Sequence, residues 1–280
     1  MSSDTLPTRF HIGLQRAAST YFYDLLASHP DAALPRKGLG YYSNKFERGM
    51  DWYLAQFPPG GLRIDPSPVY FVRGGVVAPR INAALGGTAP RFVLMLRNPI
   101  DYTVSRFLLH RRIQGLVRRF GNAPGDLATL LRDHPEYLDE SRFGALLERH
   151  WFPRFDRACF HIVLFEDFTR DQAGVSSRVL DFLGLSPHTL KAAPSSRNAT
   201  LRHPVLHSVK AAIVARPRLH AVLRGNALIQ GIYDRFLVAR APKVLPAQRA
   251  WLRGLLAADV ARLKVLLADP LTAWKDFLDD

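Results

Sequence analysis

The chain has 280 residues, 48% of them hydrophobic, and a formal net charge of +14. That length and apolar share suffice for a full hydrophobic core and exclude a disordered chain. No uncharged apolar run reaches about 18 residues, which excludes a spanning-helix reading, and a single cysteine, Cys159, excludes a disulfide framework within the chain.

Phe10-His11-Ile12-Gly13-Leu14 reads as a short strand that ends in a turn rich in hydroxyls, Gln15-Arg16-Ala17-Ala18-Ser19-Thr20. Thr20 to Ser28 carries Tyr21, Leu25 and Leu26 at helical spacing, and His29-Pro30 closes that helix. Pro35 to Tyr42 reads as a loop, and Gly49 to Phe57 as a short helix stopped by Pro58-Pro59-Gly60-Gly61. Leu62 to Asp65 reads as a strand before the turn-prone Pro66-Ser67-Pro68, and Val77 to Leu85 as a helix.

Arg91 to Leu96 is the clearest buried strand, short and nearly all apolar, as parallel strands are. Arg97-Asn98-Pro99 ends it, and a long helix follows from about Asp101 to Gln114. Leu127 to Leu131 and Phe143 to Phe152 read as helical. Phe160 to Phe165 is another core strand, ending in Glu166-Asp167. Val175 to Leu183 is an amphipathic helix stopped at Gly184, and a last helix spans Pro246 to Leu267. Strands alternating with helices predict an α/β fold with a parallel sheet, helices on both faces and a helical C-terminal part. Residues 1–280 read as one domain, with a basic helical extension over about 191–280.

Charge is concentrated in that extension: Lys191 to Ala250 holds eleven Lys or Arg residues and one acid, Asp234. Such a surface favours anionic partners, although a solvated helical face explains much of it. Cys159 reads as a core residue rather than a nucleophile. Met1-Ser2-Ser3-Asp4-Thr5-Leu6-Pro7 lacks the order of a secretory signal, and with one thiol the expected location is cytoplasmic.

Two turns share one chemistry. Gly13 to Thr20, and Arg97 with Ser105 eight positions on, each follow a buried strand and lead into a helix, where free N–H groups and a positive dipole end gather. Two such sites suit a ligand with two separated phosphate-like groups. With these residues, His29-Pro30, Gly49-Met50-Asp51-Trp52-Tyr53-Leu54, Asp65-Pro66-Ser67-Pro68-Val69-Tyr70, Phe165-Glu166-Asp167-Phe168 and Phe182-Leu183-Gly184-Leu185, the chain resembles the sulfotransferases that use 3′-phosphoadenylyl sulfate (PAPS), closest to the glycan-modifying and bacterial branches. The tail from Leu245-Pro246 to Trp274 follows the same pattern.

The resemblance implies a P-loop-like fold and transfer of a sulfuryl group from PAPS to a hydroxyl or amine, on a carbohydrate or small molecule, leaving adenosine 3′,5′-bisphosphate (PAP). It implies no metal. Arg16 takes the family's lysine place beside the departing phosphate. Ala17, Ala18, Ser19 and Thr20 complete the 5′ turn, and Arg97 and Ser105 grip the 3′-phosphate. Arg202, after Asn198-Ala199-Thr200, stands where a further basic residue approaches the nucleotide. A purely structural role, a surface ion pair for Arg16 or a helix-surface position for Ser105, is also open to these residues.

The chain departs from the pattern at three places. The lysine is Arg16, which retains charge but cannot readily release a proton. A glycine is replaced by Ala18, which carries strain if that position needs positive φ. The glutamate that deprotonates the acceptor is Gly38, in Lys37-Gly38-Leu39-Gly40-Tyr41-Tyr42. A missing base forfeits about 10²–10⁴-fold in rate for an alcohol acceptor. Asp65, at a strand end, and His110, on the helix of Ser105, are the candidate replacements. Asp65 also reads as a turn cap before Pro66, and His110 as a helix-surface or 3′-phosphate-side residue. The remaining readings are an acceptor that needs little base help and a PAPS-binding protein with little catalysis.

A kinase-like phosphotransferase is the enzymatic rival, with Glu166-Asp167 as its magnesium ligands, but the first turn lacks Gly-Lys-[Ser/Thr]. A nucleic-acid module is disfavoured because Pro217 breaks the basic helix and no stacking platform is interleaved with it. His203 and His207 flank Pro204 without an acidic partner and make no metal site.

Overall fold

The computed structural model describes residues 6–117, 127–190 and 245–278, without the side chains at 108, 110–117 and 130. Among the described residues, five strands form one parallel sheet in the order β2-β3-β1-β4-β5. They are β1 (Arg9–Gly13), β2 (Ala32–Ala33), β3 (Leu62–Asp65), β4 (Arg91–Leu96) and β5 (Phe160–Leu164). The helices in chain order are α1 (Ser19–Ala27), α2 (Tyr41–Asn44), α3 (Met50–Leu54), α4 (Gly74–Leu85), α5 (Pro99–Val117), α6 (Leu127–Asp133), α7 (Glu136–Asp139), α8 (Phe143–Leu146), α9 (Phe165–Arg170), α10 (Gln172–Leu183) and α11 (Pro246–Leu267).

Alternation along β1 divides the core between the two faces of the sheet. His11 meets Phe22 of α1, with ring centroids 5.9 Å apart, and Phe22 meets Phe168 of α9. Phe10 points the other way, onto Tyr42 of α2 and Phe92 of β4, and Phe92 packs on Trp151. These rings are buried and close the sheet from both sides. No described helix is long and apolar enough to cross a membrane.

The expected strands β1, β3, β4 and β5 form. Four local readings change. Tyr41 and Tyr42, expected at the end of a loop from Pro35, instead open the helical turn Tyr41–Asn44 because both rings are buried; Tyr41 stacks on Tyr53 at 4.3 Å. The two-residue edge strand β2 is too short to leave a periodic signal. Beyond Leu164 the chain turns directly into α9, with Glu166 and Asp167 in its first turn, where the helix dipole favours acids. The helix expected over 143–152 is α-helical only to Leu146 and π-helical over Leu147–Trp151. Cys159 is half-buried rather than core, and burial pushes its thiol pKa up, away from a reactive thiolate.

Candidate functional site

The strand order reverses beside β1: the chain lays β3 and β2 on one side of it, then β4 and β5 on the other. In open parallel sheets the crevice at such a reversal, beyond the C-terminal strand ends, is where ligands sit. Here β1 and β4 are adjacent and parallel, so the turns after Gly13 and after Leu96 meet at one end of the sheet.

Gly13 has no room for a side chain, since a Cβ there would lie 2.9 Å from Cβ of Phe71 and 3.3 Å from Leu94. The turn then coils tightly, with Arg16 at φ 71° and Ala18 at φ 51°. Ala18 is the N-cap of α1 and offers no capping side chain, so the first-turn N–H groups of Ser19, Thr20 and Tyr21 head the helix at this turn. The positive φ raised as a condition at Ala18 is therefore met. Ala17 does not serve as expected: its side chain is fully buried and its N–H donates to the Leu14 carbonyl at 3.3 Å, leaving neither for a ligand.

The two turns are joined directly. Arg16 Nε donates to Ser105 Oγ at 2.9 Å, and Arg97 Nη1 donates to the Arg16 carbonyl at 3.2 Å. The Arg97 guanidinium lies over the Phe165 ring, 5.0 Å from its centroid. Residues 89 positions apart thus share one polar cluster.

Arg16, Ser19 and Thr20 line a pocket of about 410 Å³ with Gln15, Lys37, Gly38, Gly40 and Asn44; Pro68, Val69 and Leu109 form its apolar wall. Lys37 Nζ donates to Thr20 Oγ1 at 2.6 Å and brings a second cation to the 5′ turn. Lys37 and Asn44 were absent from the sequence-derived site; the signal available was Lys37 itself, which heads the segment containing Gly38. A second hollow, of about 450 Å³ between α8 and α11, holds Arg142 paired with Asp139 and Arg262 near Asp259, and reads as an ion-paired surface groove.

Asp65 does not face the pocket. It is fully buried and accepts hydrogen bonds from Ser67 Oγ at 2.5 Å and from the Tyr53 and Tyr70 hydroxyls at 2.9 Å each. Burial raises its pKa, and the three hydroxyls pull in the opposite direction. An acceptor has no path to this carboxylate, so its expected role as base is corrected. Asp65 instead supports the pocket wall. The Gly40 N–H donates to Ser67 Oγ and the Tyr42 N–H to Tyr70 Oη, both at 3.0 Å. The carboxylate thereby orients two hydroxyls that hold the strand of chain bearing Lys37 and Gly38. At Gly38 itself, with φ +73°, a Cβ would meet nothing within 4 Å.

Glu166, the magnesium ligand of the phosphotransferase reading, lies elsewhere and is engaged by the Asn98 N–H and Trp274 Nε1, each at 2.9 Å. His110 lies on α5, but its side chain, like Arg202, His203 and His207, falls outside the described residues.

No family model matches the chain. It is 27% identical over 192 residues to human heparan sulfate glucosamine 3-O-sulfotransferase 6, covering 64% of this chain and 52% of that protein. It is 28% identical over 207 residues to the mouse bifunctional heparan sulfate N-deacetylase/N-sulfotransferase 4, covering 66% of this chain and 23% of that protein. The chain is thus similar in sequence to heparan sulfate sulfotransferases. It spans about half the length of the 3-O-sulfotransferase relatives it matches. A solved sulfotransferase from Alicyclobacillus acidocaldarius shares the fold, with a TM-score of 0.66 over 96% of this chain and 99% of that one at 20% identity. The crevice between β1 and β4 is the candidate functional site of this chain.

Proposed function

We propose that this chain transfers a sulfuryl group from PAPS to a hydroxyl or amine acceptor on a carbohydrate, releasing PAP. One observation carries the reading: the turns after β1 and β4 form a single cationic cluster through the Arg16–Ser105 and Arg97–Arg16 hydrogen bonds. Its donor set is two guanidinium groups, the Lys37 ammonium, three hydroxyls and the first-turn N–H groups of α1, which suits a nucleotide with two anionic ends. The relatives are named for O- and N-sulfation of glucosamine or heparan sulfate, and this supports an amino-sugar acceptor.

Bound PAPS would supply an activated sulfuryl group attached to a phosphate leaving group. Arg97 and Ser105 would hold the 3′-phosphate. Arg16 and the first turn of α1 would hold the 5′ end and stabilise the charge that develops on the leaving phosphate. Lys37 adds positive charge to the same turn. The loose, in-line character expected of such transfers leaves positioning and charge as the protein's main contributions.

Proton removal from the acceptor is the distinctive point. Gly38 stands at the base position, and among the described residues the pocket lining holds amide, hydroxyl and cationic side chains but no carboxylate. That favours an amine or another acceptor needing little base assistance over an unactivated alcohol.

Titration calorimetry with PAP and a radiolabelled transfer assay test the reading. Wild-type protein is expected to bind PAP. Arg97→Ala is expected to weaken it about tenfold or more, and Arg16→Ala to lower transfer more than affinity. Absence of PAP binding, or indifference of binding to both substitutions, overturns it.

A further inference from the structure

The C-terminal tail closes on the turn that carries Arg97, and Asn98 is where it does so. Asn98 Oδ1 accepts from the Ile100 N–H at 3.0 Å, which makes Asn98 the N-cap of α5, with Pro99 in the first helical position. Helix capping needs nothing more, yet two further groups hold the same residue. Its N–H donates to Glu166 Oε1 at 2.9 Å, and its Nδ2 donates to Asp276 Oδ2 at 2.8 Å.

Each of those carboxylates is itself fixed by the tail. Glu166 Oε2 accepts from Nε1 of Trp274 at 2.9 Å, and Trp274 is fully buried. Asp276 accepts from Arg249 of α11, which also donates to Asp101 in the first turn of α5, both at 2.5 Å. Burial opposes the Arg249 charge, but the two carboxylates outweigh it and raise its pKa. The start of α9, the start of α11 and the segment around 274–276 therefore converge on the residue next to Arg97. They also converge on the helix that carries Ser105 within its next two turns.

We propose that Trp274, Asp276 and Arg249 are positioning residues for the nucleotide 3′-phosphate: the tail braces Asn98 and the start of α5, and so aims Arg97 and Ser105. This rests on the reading of the crevice as a bisphosphate site. Small displacements of a phosphate-gripping guanidinium are costly, and a site held from behind keeps its geometry.

The test compares PAP with adenosine 5′-monophosphate, which lacks the 3′-phosphate. Trp274→Phe keeps most of the buried ring and removes the N–H; Asp276→Asn keeps the shape and removes the charge. Each is expected to bind PAP about tenfold more weakly while 5′-monophosphate affinity changes less than about twofold. Thermal melting by circular dichroism establishes that the variants fold, and if Trp274→Phe does not, the more exposed Asp276→Asn decides alone. Equal losses for the two nucleotides, or no loss for either, overturn the brace while wild-type PAP binding still stands. Failure of the wild type to bind PAP overturns the brace and the site reading together.

Discussion

Ala18 holds φ at 51° at the head of α1, two residues after Arg16 at 71°. A residue with a Cβ in the left-handed region costs about 1–2 kcal/mol, whereas glycine loses about 0.4–1 kcal/mol through its freer unfolded chain. Ala18→Gly is therefore expected to stabilise the fold by about 0.5–1 kcal/mol, read as a higher denaturation midpoint at unchanged slope. A lower midpoint contradicts this. His11 behaves differently. It is buried on the α1 face, its Nε2 finds no partner among the described residues, and burial followed by the Lys37 charge lowers its pKa to about 4. A bond to the Gly13 backbone opposes that shift. A depressed histidine stabilises the fold above its ordinary pKa of 6.5, and that contribution disappears as pH falls towards about 4. The slope is about 1.4 kcal/mol per pH unit. His11→Leu should flatten the stability curve over that interval, and an unaltered slope assigns the acid lability to another group.

Among the elements, α2 and the turn before it depend on a strand they do not touch in sequence. Asp65 at the end of β3 fixes Ser67 and Tyr70, and these fix the amides of Gly40 and Tyr42. Ser67→Ala leaves the Gly40 amide without its acceptor, at a cost of about 1–3 kcal/mol. Hydrogen exchange followed by mass spectrometry should find faster exchange confined to residues 38–43, with PAP affinity changed only a few-fold because Arg97 and Ser105 are untouched. Uniformly faster exchange would mean that the network supports the whole fold rather than the pocket wall. The sequence displayed Asp65, Ser67 and Tyr70 as a conspicuous run. It did not display their direction. An aspartate at a strand end has the same letters whether it faces an acceptor or three buried hydroxyls.

Across the whole molecule, α11 returns to the sheet through α8. Asp259 accepts from the Gly144 and Ala145 N–H groups at 2.9 and 2.8 Å, and a Cβ on Gly144 would lie 2.7 Å from the Asp259 carbonyl oxygen. Gly144→Ala should overpack this contact and cost about 1–3 kcal/mol in chemical denaturation. A neutral result would show that the two helices separate freely.

What the sequence by itself determined was local and chemical: four of the five strands, the turns that follow β1 and β4, and the residue types with which those turns meet an anion. Burial patterns and turn residues act over a few positions, so they are legible in a linear string. The tertiary structure alone decided that Arg16 and Ser105 touch, that Lys37 reaches Thr20 of the same turn, that Ala17 and Asp65 are turned inward, and that Trp274 and Asp276 brace the turn of Arg97. These depend on which strands lie side by side and on where long-range packing sends each side chain, and no periodicity within a single element carries that information.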